Sequence, residues 1–355
     1  MFRSALVLAL ALTFSAVAGD AIAQAPRISK PKPVPPGTPV TMPPLPPAQI
    51  DSTLNIGGDN INARKVETRM SVDVMVNGRG PYRFLVDSGA DSSVVGLRLA
   101  RDLQLPLGTP AILNGMTDRS LVDRVKVDEL VLGPSTIRNL QVPALREEDL
   151  GGQGMIGIDA LVRQRLMMDF EKRLVKVEDA RTPMQHYYGE IVVTARRQRG
   201  QLILTQVRAL GLPLDAVIDT GSEITIGNTK LRDKLIRGNH DKFLTTEMIG
   251  VTGKSVKIDL AVISELQLGP VTLRDVPIAF ADVPPFKVFG LDDQPALLLG
   301  TDILETFRRV SLDFRARKVR FQLRKCDSQN VILSTSSTFW MTRISSTGTD
   351  DVCGR

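Results

Sequence analysis

The apolar positions of this chain fall in short runs rich in Val, Ile and Leu, with turn residues between them. Residues 71–86 show the pattern, because SVDVMV and PYRFLV flank the polar stretch NGRG. Residues 201–218 repeat it, with Gly211-Leu212-Pro213 between two apolar runs. Short apolar runs bounded by turn residues are typical of strands, and Asn77-Gly78 is a tight-turn signal. The pattern predicts an all-β chain built from hairpins.

Helical spacing is scarce in the sequence. It occurs at Leu97, Ala100 and Leu103 in LRLARDLQL, and at Leu231 and Leu235 in KLRDKLI. Such spacing places apolar side chains on one face of a helix. We therefore expect few helices, with one short helix in each half of the chain.

The second half of the chain repeats the first. LVLGPSTIRNLQVPAL at 130–145 matches LQLGPVTLRDVPIAF at 266–280, and GMIGIDAL at 154–161 matches LLLGTDIL at 297–304. MMDFEKRLVKV then matches SLDFRARKVRF, in the same order. Repetition of this kind indicates an internal duplication. We predict two homologous lobes, at 51–180 and 187–325.

The ends of the chain lie outside this repeat. Arg3, an apolar run at 5–18 and the small residues Ala21-Ile22-Ala23 predict a signal peptide at 1–23 and secretion, for example to the periplasm. An uncleaved anchor is the alternative, but the run is shorter than the roughly 20 residues that span a bilayer. Residues 24–50 are rich in proline, which predicts a disordered, extended linker. The Ser/Thr-rich tail at 326–355 supports no prediction.

Composition limits the partners. The 355 residues leave room for two domains, since single cores stop growing at roughly 250–300 residues. The formal net charge is +6, but Lys and Arg are scattered apart from the cluster at 196–199, and one Trp and three Tyr offer few rings for base stacking. We expect no nucleic acid partner and no membrane span after signal cleavage.

The histidines and cysteines do not predict a metal site. His186, His240, Cys326 and Cys353 lack zinc-ligand spacing, so we expect no metal and no cofactor. Both cysteines lie in the tail, and one disulfide is compatible with an oxidising compartment. Whether they pair stays open.

The candidate chemistry lies in a tripeptide that occurs twice, each time at the end of an apolar run. Asp87-Ser88-Gly89 lies in FLVDSGADSSVV, and Asp219-Thr220-Gly221 lies in DAVIDTGSEITI. Two aspartates that share one proton can deprotonate a water and protonate a carbonyl oxygen, which amide hydrolysis requires. The glycines permit a sharp backbone path, and the hydroxyls can bond across to the other lobe.

With both motifs present, residues 65–324 resemble a retroviral-type aspartic protease unit duplicated in one polypeptide. The plan is shared with pepsin-like enzymes, and the chain is similar to secreted bacterial members of that clan. FLVDSGAD resembles the retroviral active-site strand, and GMIGIDAL and LLLGTDIL resemble the segment that crosses under each catalytic turn. The resemblance implies two retropepsin-like β-barrel lobes with a cleft between them. It also implies an aspartic endopeptidase acting on peptide or protein substrates.

Carried over by position, the resemblance makes Asp87 and Asp219 the catalytic pair. The supporting residues of the two active-site loops are then Ser88, Gly89 and Ala90 in one lobe and Thr220, Gly221 and Ser222 in the other. Substrate contacts are expected from Asp91 and its counterpart Glu223, and from two flaps at Gly115, Met116, Thr117 and at Gly250, Val251, Thr252, Gly253. Neither flap has the tyrosine of pepsin, so both resemble the retroviral kind. Because one chain carries both motifs, we expect a working monomer.

One departure between the lobes suggests which aspartate holds the proton. Ala90 has no hydroxyl, whereas Ser222 can donate to its carboxylate, and such a bond lowers a pKa. The hypothesis is that Asp219 is preferentially ionised and that Asp87 carries the proton.

Several acidic residues have a structural interpretation. Asp159 and Asp302 follow a glycine and are expected as helix N-caps. Asp169 and Asp313 are expected as hairpin anchors. A lone Asp-Ser-Gly is most often an ordinary turn, but two copies in a repeated context favour a site.

Two other functions remain open to the sequence. A carboxylate pair also serves glycosidases, although few aromatic residues are present for a sugar cleft. The more serious alternative is a catalytically silent, two-lobed peptide-binding or scaffold protein of the periplasm.

Overall fold

The computed structural model describes residues 27–39, 49–50, 59–66, 69–133, 135–161, 164–179, 190–198, 200–235 and 243–324. These residues do not include the predicted signal peptide, either cysteine, either histidine or the tail. The remaining chain is mostly strand, with six short helices in its described part.

The first lobe follows two short N-terminal strands. These are β1 (Lys32–Pro33) and β2 (Gln49–Ile50). The elements of lobe one are β3 (Asp59–Val66), β4 (Arg69–Val76), β5 (Arg79–Val86), β6 (Val94–Gly96), α1 (Leu97–Asp102), β7 (Ala111–Asn114), β8 (Arg119–Val122), β9 (Arg124–Leu132), β10 (Ser135–Leu145), α2 (Glu147–Leu150), β11 (Gly154–Ile156), α3 (Ile158–Leu161), β12 (Gln164–Asp169) and β13 (Leu174–Asp179).

The second lobe repeats this order, except that one long strand at 255–268 takes the place of β8 and β9. Its elements are β14 (Glu190–Gln198), β15 (Gln201–Ala209), β16 (Leu212–Ile218), β17 (Ile226–Gly227), α4 (Thr229–Leu235), β18 (Leu244–Ile249), β19 (Ser255–Leu268), β20 (Val271–Phe280), α5 (Pro284–Val288), β21 (Ala296–Leu299), α6 (Thr301–Leu304), β22 (Arg309–Asp313) and β23 (Lys318–Gln322). The prediction of an all-β chain with two homologous β-barrel lobes is confirmed. The two predicted helices are α1 and α4.

The hairpin that leads to each Asp-(Ser/Thr)-Gly turn closes through a two-residue turn. Asn77 and Gly78 have φ of 49° and 72°, which the primed hairpin turns require and which Asn-Gly tolerates well. In lobe two the turn lies at Leu210 and Gly211, with φ of 49° and 79°. It therefore begins one residue before the predicted Gly211-Leu212-Pro213.

A crossing strand fixes the end of that hairpin in each lobe. β11 pairs in parallel with β5 and antiparallel with β6, and the Asp87 N–H donates to the Ile156 carbonyl at 2.9 Å. β21 pairs with β16 and β17 in the same way, and the Asp219 N–H donates to the Leu299 carbonyl at 3.0 Å. The two aspartates therefore occupy equivalent, backbone-fixed positions.

Six strands from both lobes form one sheet beneath the lobes. Its order is β14, β23, β22, β12, β13 and β3, with every neighbour antiparallel. The central pair, β12 with β22, joins lobe one to lobe two. The lobes therefore share a backbone-bonded sheet, and one apolar core cluster includes residues of both.

Two ion pairs cross the centre of this sheet. The Arg309 Nε lies 2.5 Å from Asp169 Oδ2, and the Arg165 Nε lies 3.1 Å from Asp313 Oδ2. The same aspartates accept N–H bonds in their own hairpins, from Lys172 and from Ala316. The prediction that they anchor hairpins is confirmed, and each also holds the other lobe.

The proline-rich segment differs from its prediction. Residues 27–39 were expected to be part of a disordered linker, but β1 pairs with β8, so that β1, β8 and β7 form a three-stranded sheet. Prolines favour an extended backbone, and an extended backbone can pair at a sheet edge where no N–H is needed. Among the described residues, none of the helices has the length and apolar character that crossing a bilayer requires.

The inter-lobe ion pair supplies a stability test. Asp169→Asn keeps an oxygen for the Lys172 N–H but leaves the partly buried Arg309 guanidinium without its countercharge, which should lower the free energy of unfolding by about 3 kcal/mol. Urea denaturation measures the change. Arg138→Gln removes an exposed ion pair with Glu129 and should cost less than about 1 kcal/mol. If both variants lowered the free energy of unfolding equally, the inter-lobe ion pair would stabilise the protein no more than the exposed pair does.

Candidate active site

The two aspartates of the repeated tripeptide lie together at the lobe boundary. Asp87 and Asp219 are 8% and 7% exposed, and each carboxyl group lies against the Asp-(Ser/Thr)-Gly turn of the other lobe. Each carboxyl is held from behind by two backbone N–H groups of its own turn. Gly89 and Ala90 donate to Asp87 Oδ1 at 2.8 and 2.9 Å, and Gly221 and Ser222 donate to Asp219 Oδ1 at 3.0 and 3.1 Å.

The hydroxyl residues of the two turns tie the lobes to each other. The Ser88 N–H donates to Thr220 Oγ1 at 2.9 Å, and the Thr220 N–H donates to Ser88 Oγ at 3.2 Å. Each hydroxyl then donates to a carbonyl of the opposite lobe, Thr220 to Val86 at 2.9 Å and Ser88 to Ile218 at 3.0 Å. Four reciprocal, buried bonds therefore set the separation of the turns.

The glycines allow the carboxyls to approach the opposite turn. A Cβ on Gly89 would lie 2.5 Å from Asp219 Cγ, and a Cβ on Gly221 would lie 2.1 Å from Asp87 Cγ. Both distances are far below van der Waals contact. Any larger residue at either position would therefore push the opposite carboxyl away.

Burial and mutual repulsion hold a proton on the pair. Burial raises the pKa of Asp87 above its ordinary value, although the N–H bonds of Ala90 and Gly89 and the charge of Arg69 oppose that rise. Burial and the charge of Asp87 raise the pKa of Asp219 to about 8. One proton is therefore retained on the pair at neutral pH, and the charge of Asp87 favours Asp219 as its carrier.

The hypothesis that Asp219 is the ionised member rests on a bond that the Ser222 hydroxyl does not make. The Ser222 hydroxyl donates to the Ile224 carbonyl at 2.8 Å and not to the carboxylate. Of the polar groups of Ser222, only the backbone N–H donates to Asp219. The Ala90 N–H makes the equivalent bond to Asp87. The charge of Arg69 lowers the pKa of Asp87 and so favours its ionised form.

Asp91 and Glu223, the expected substrate contacts, each bind a residue of the other lobe. Arg69 Nη2 lies 2.8 Å from Glu223 Oε1, and Arg69 Nη1 donates to the Leu150 carbonyl at 3.2 Å. In the equivalent place Gln201 Nε2 donates to Asp91 and to the Gly89 carbonyl. The two ends of the site are therefore alike in geometry but differ in charge.

Asp159 and Asp302 are not helix N-caps, which corrects that prediction. Each is the second residue of a helical turn, and Asp159 accepts bonds from the Ser93 N–H and hydroxyl at 2.9 and 2.7 Å. Asp302 accepts from the Thr225 N–H and hydroxyl at 2.9 and 2.7 Å. Burial raises the pKa of both, that of Asp302 to about 6. They hold the chain that follows each Asp-(Ser/Thr)-Gly turn.

The predicted flap residues form the tips of two hairpins that meet. Gly115, Met116 and Thr117 connect β7 to β8, and residues 250–253 connect β18 to β19. Asp118 receives a bond from the Thr252 hydroxyl at 2.5 Å and an ion pair from Lys254 at 2.8 Å. Burial opposes the change, but bonds from Lys254, Ser120 and Thr252 lower the pKa of Asp118 below its ordinary value.

Apolar side chains at the flap tips cross to the opposite lobe. Met116 of lobe one packs on a lobe-two cluster that also contacts Ile224, and Val251 of lobe two packs on a lobe-one cluster that also contacts Ala90. Since Ala90 and Ile224 follow the two aspartate turns, each flap tip packs on a cluster that also contacts the segment after the aspartate turn of the opposite lobe. In the described part of the chain, no group of His, Cys, Asp and Glu has the arrangement of a metal site.

The family model for aspartyl proteases matches residues 72–160 and 205–303, which together are more than half of the chain. The chain belongs to the aspartyl protease family. Each matched segment contains one Asp-(Ser/Thr)-Gly turn and one flap, consistent with a duplicated, two-lobe, retropepsin-like protein. No curated protein matches the chain.

Four residues of this aspartyl protease site do not stand out in the sequence. Arg69 and Gln201 begin equivalent strands, and Asp118 and Lys254 join the flaps. The repeat contained a signal for the first two, because they are separated by 132 residues, as are Asp87 and Asp219. For the flap ion pair the sequence contains no comparable signal, since Asp118 has no acidic counterpart at the tip of the second flap.

The bonds between the turns supply a second stability test. Thr220→Val keeps the shape of the side chain but leaves the buried Ser88 N–H and Val86 carbonyl without their partner. The free energy of unfolding should fall by about 2–3 kcal/mol, since each unsatisfied buried group costs about 1–3 kcal/mol. Thr245→Val removes an exposed hydroxyl bond to Asp259 and should change it by less than about 0.5 kcal/mol. A Thr220→Val cost as small as the control's would show that the turns are held by other contacts.

Proposed function

We propose that this chain is an aspartic endopeptidase that hydrolyses peptide bonds with a water activated by Asp87 and Asp219. The observation that carries the proposal is the buried pair of carboxyl groups, each of which lies against the Asp-(Ser/Thr)-Gly turn of the other lobe. Since burial and the charge of Asp87 raise the pKa of Asp219 to about 8, one proton stays on the pair at neutral pH. A pair in this state offers a base and an acid in the same place. Membership of the aspartyl protease family supports the same reaction class.

The ionised Asp87 acts as the general base. Its carboxylate takes a proton from the water while the water oxygen attacks the peptide carbonyl carbon. Asp219 donates its proton to the carbonyl oxygen, and a neutral gem-diol results. Asp87 is then protonated, and Asp219 is ionised.

Collapse of the diol returns the pair to its starting state. Asp87 gives its proton to the amide nitrogen as the C–N bond breaks, and one diol hydroxyl returns a proton to Asp219. The products are a carboxylic acid and an amine. The N–H groups of Gly89, Ala90, Gly221 and Ser222 hold the carboxyls in place throughout.

The surroundings of the pair suit an extended peptide. The tips of the two flaps meet each other and carry glycines, whose backbone groups can bond to a peptide backbone. Asp91 and Glu223 lie at the two ends of the site. Both aspartates come from one chain, so the proposed enzyme works as a monomer, and the predicted signal peptide places it outside the cytoplasm.

Substitution of either aspartate tests the reaction. Asp87→Asn and Asp219→Asn each remove the acid–base pair, so kcat/KM for a peptide library substrate should fall by at least about 1000-fold. A statine-type transition-state mimic should block the wild type. Asp128→Asn, at an exposed carboxylate of β9, should leave kcat/KM within twofold. Tight peptide binding by the wild type without cleavage would favour the silent scaffold instead.

The pH profile tests the assignment of the proton. The active state carries one proton on the pair, so kcat/KM should fall as pH rises through about 8, where Asp219 ionises. It should also fall at acidic pH, where Asp87 becomes protonated. Arg69→Gln removes a cation that favours ionised Asp87, so the acidic limb should move to higher pH.

Two control variants separate this effect from disruption of the ion pair. Glu223→Gln breaks the pair with Arg69 but keeps the cation, so it should not raise the pH of the acidic limb. Ser222→Ala removes a hydroxyl that does not touch the carboxylate, and neither limb should move. An acidic limb that shifts with Ser222→Ala and not with Arg69→Gln would refute the assignment.

A further inference from the structure

We infer that residues 27–39, here called the N-terminal strap, position the flap of lobe one. The strap supplies the third strand of that flap and keeps its tip against the flap of lobe two. The inference rests on the proposed function for its kinetic consequence. Its structural content stands without it.

Backbone pairing joins the strap to the flap. Lys32 lies opposite Leu121 and Pro33 lies opposite Ser120, so β1 covers the outer edge of β8. β8 is thereby the central strand of a sheet whose other edge is β7. The strap residues Lys32 and Pro33 are themselves exposed, and lysine and proline at a new outer edge discourage further strand addition.

Side-chain bonds fasten the strap at both ends of β8. At the base of the flap, the Ser29 N–H donates to Asp123 Oδ2 at 2.7 Å. Nearer the tip, Arg119 donates to the Thr38 and Pro39 carbonyls at 3.3 and 2.9 Å. The Arg119 Nε also donates to Asn114 on β7 at 3.0 Å, so one guanidinium of β8 joins the strap segment after β1 to β7.

The other flap shows why lobe one needs this support. In lobe two the flap hairpin pairs six residues of β18 with β19, from Leu244 with Leu260 to Ile249 with Ser255. In lobe one it pairs only four residues of β7 with β8. Two-stranded hairpins are marginal in water, and a third strand supplies the missing bonds. The strap therefore compensates for a short flap.

Loss of the strap should affect KM and leave kcat nearly unchanged. The lobe-one flap contributes Met116 and Asp118 to the crossing of the two tips, whereas the carboxyl pair is held by bonds between the aspartate turns. Without the strap, the flap should open more often and hold substrate less firmly. KM should therefore rise while kcat stays nearly constant. If the strap were a spacer without a role at the flap, its deletion would change neither KM nor kcat.

Hydrogen exchange on the secreted chain and on a variant lacking residues 27–39 tests the inference. We expect amide exchange at 119–122 to accelerate about tenfold in the deletion variant, equivalent to one lost hydrogen bond, with no change at 244–249. KM should rise by about threefold to tenfold, with kcat within twofold. Unchanged exchange at 119–122 in a folded deletion variant would overturn the inference.

Point variants in the full chain keep the test decisive if the deletion variant does not fold. Asp123→Ala removes the base contact and should accelerate exchange at 119–122, whereas Lys30→Ala, at an exposed strap residue, should not. Equal exchange in the two variants would overturn the inference. If the wild type cleaves no peptide, the proposed function fails while the exchange result still decides the strap.

Discussion

The carboxyl groups of Asp87 and Asp219 repel each other whenever both are ionised, and the rest of the structure serves to keep them in contact. The β11 and β21 strands fix each aspartate from behind, and the reciprocal bonds of Ser88 and Thr220 fix the distance between the turns. Because the repulsion is buried, a shared proton relieves it. The protonation of the two aspartates therefore depends on the contacts that hold the two lobes together.

That boundary is stabilised well away from the carboxyls. The six-stranded sheet continues hydrogen bonding from one lobe into the other, and Asp169 and Asp313 reach across its centre to the arginines of the opposite lobe. Two homologous lobes could in principle rotate about a simple contact. A shared sheet with crossed ion pairs restricts such rotation, so the opposition of the two turns is maintained.

Most of the fold could be predicted from the sequence because duplication makes local signals visible twice. The hairpins, the Asn77-Gly78 turn and the helices α1 and α4 follow from local patterns. The strap could not, since proline content predicts an extended backbone but not which edge it joins. From the sequence, the Ser222 hydroxyl could be expected to donate to the Asp219 carboxylate. In the structure it donates to the Ile224 carbonyl, which local sequence does not predict.

The unequal contacts at the two ends of the site have a consequence for recognition. A guanidinium holds the acidic residue at one end, through Arg69 and Glu223, and a neutral amide holds it at the other, through Gln201 and Asp91. A peptide chain has a direction, so an extended peptide can lie along a cleft in either of two opposite orientations. In a symmetric dimer of two identical subunits, the two orientations meet identical surroundings. Here the partners of Glu223 and Asp91 differ in charge, so the surroundings that the two orientations would meet are not equivalent.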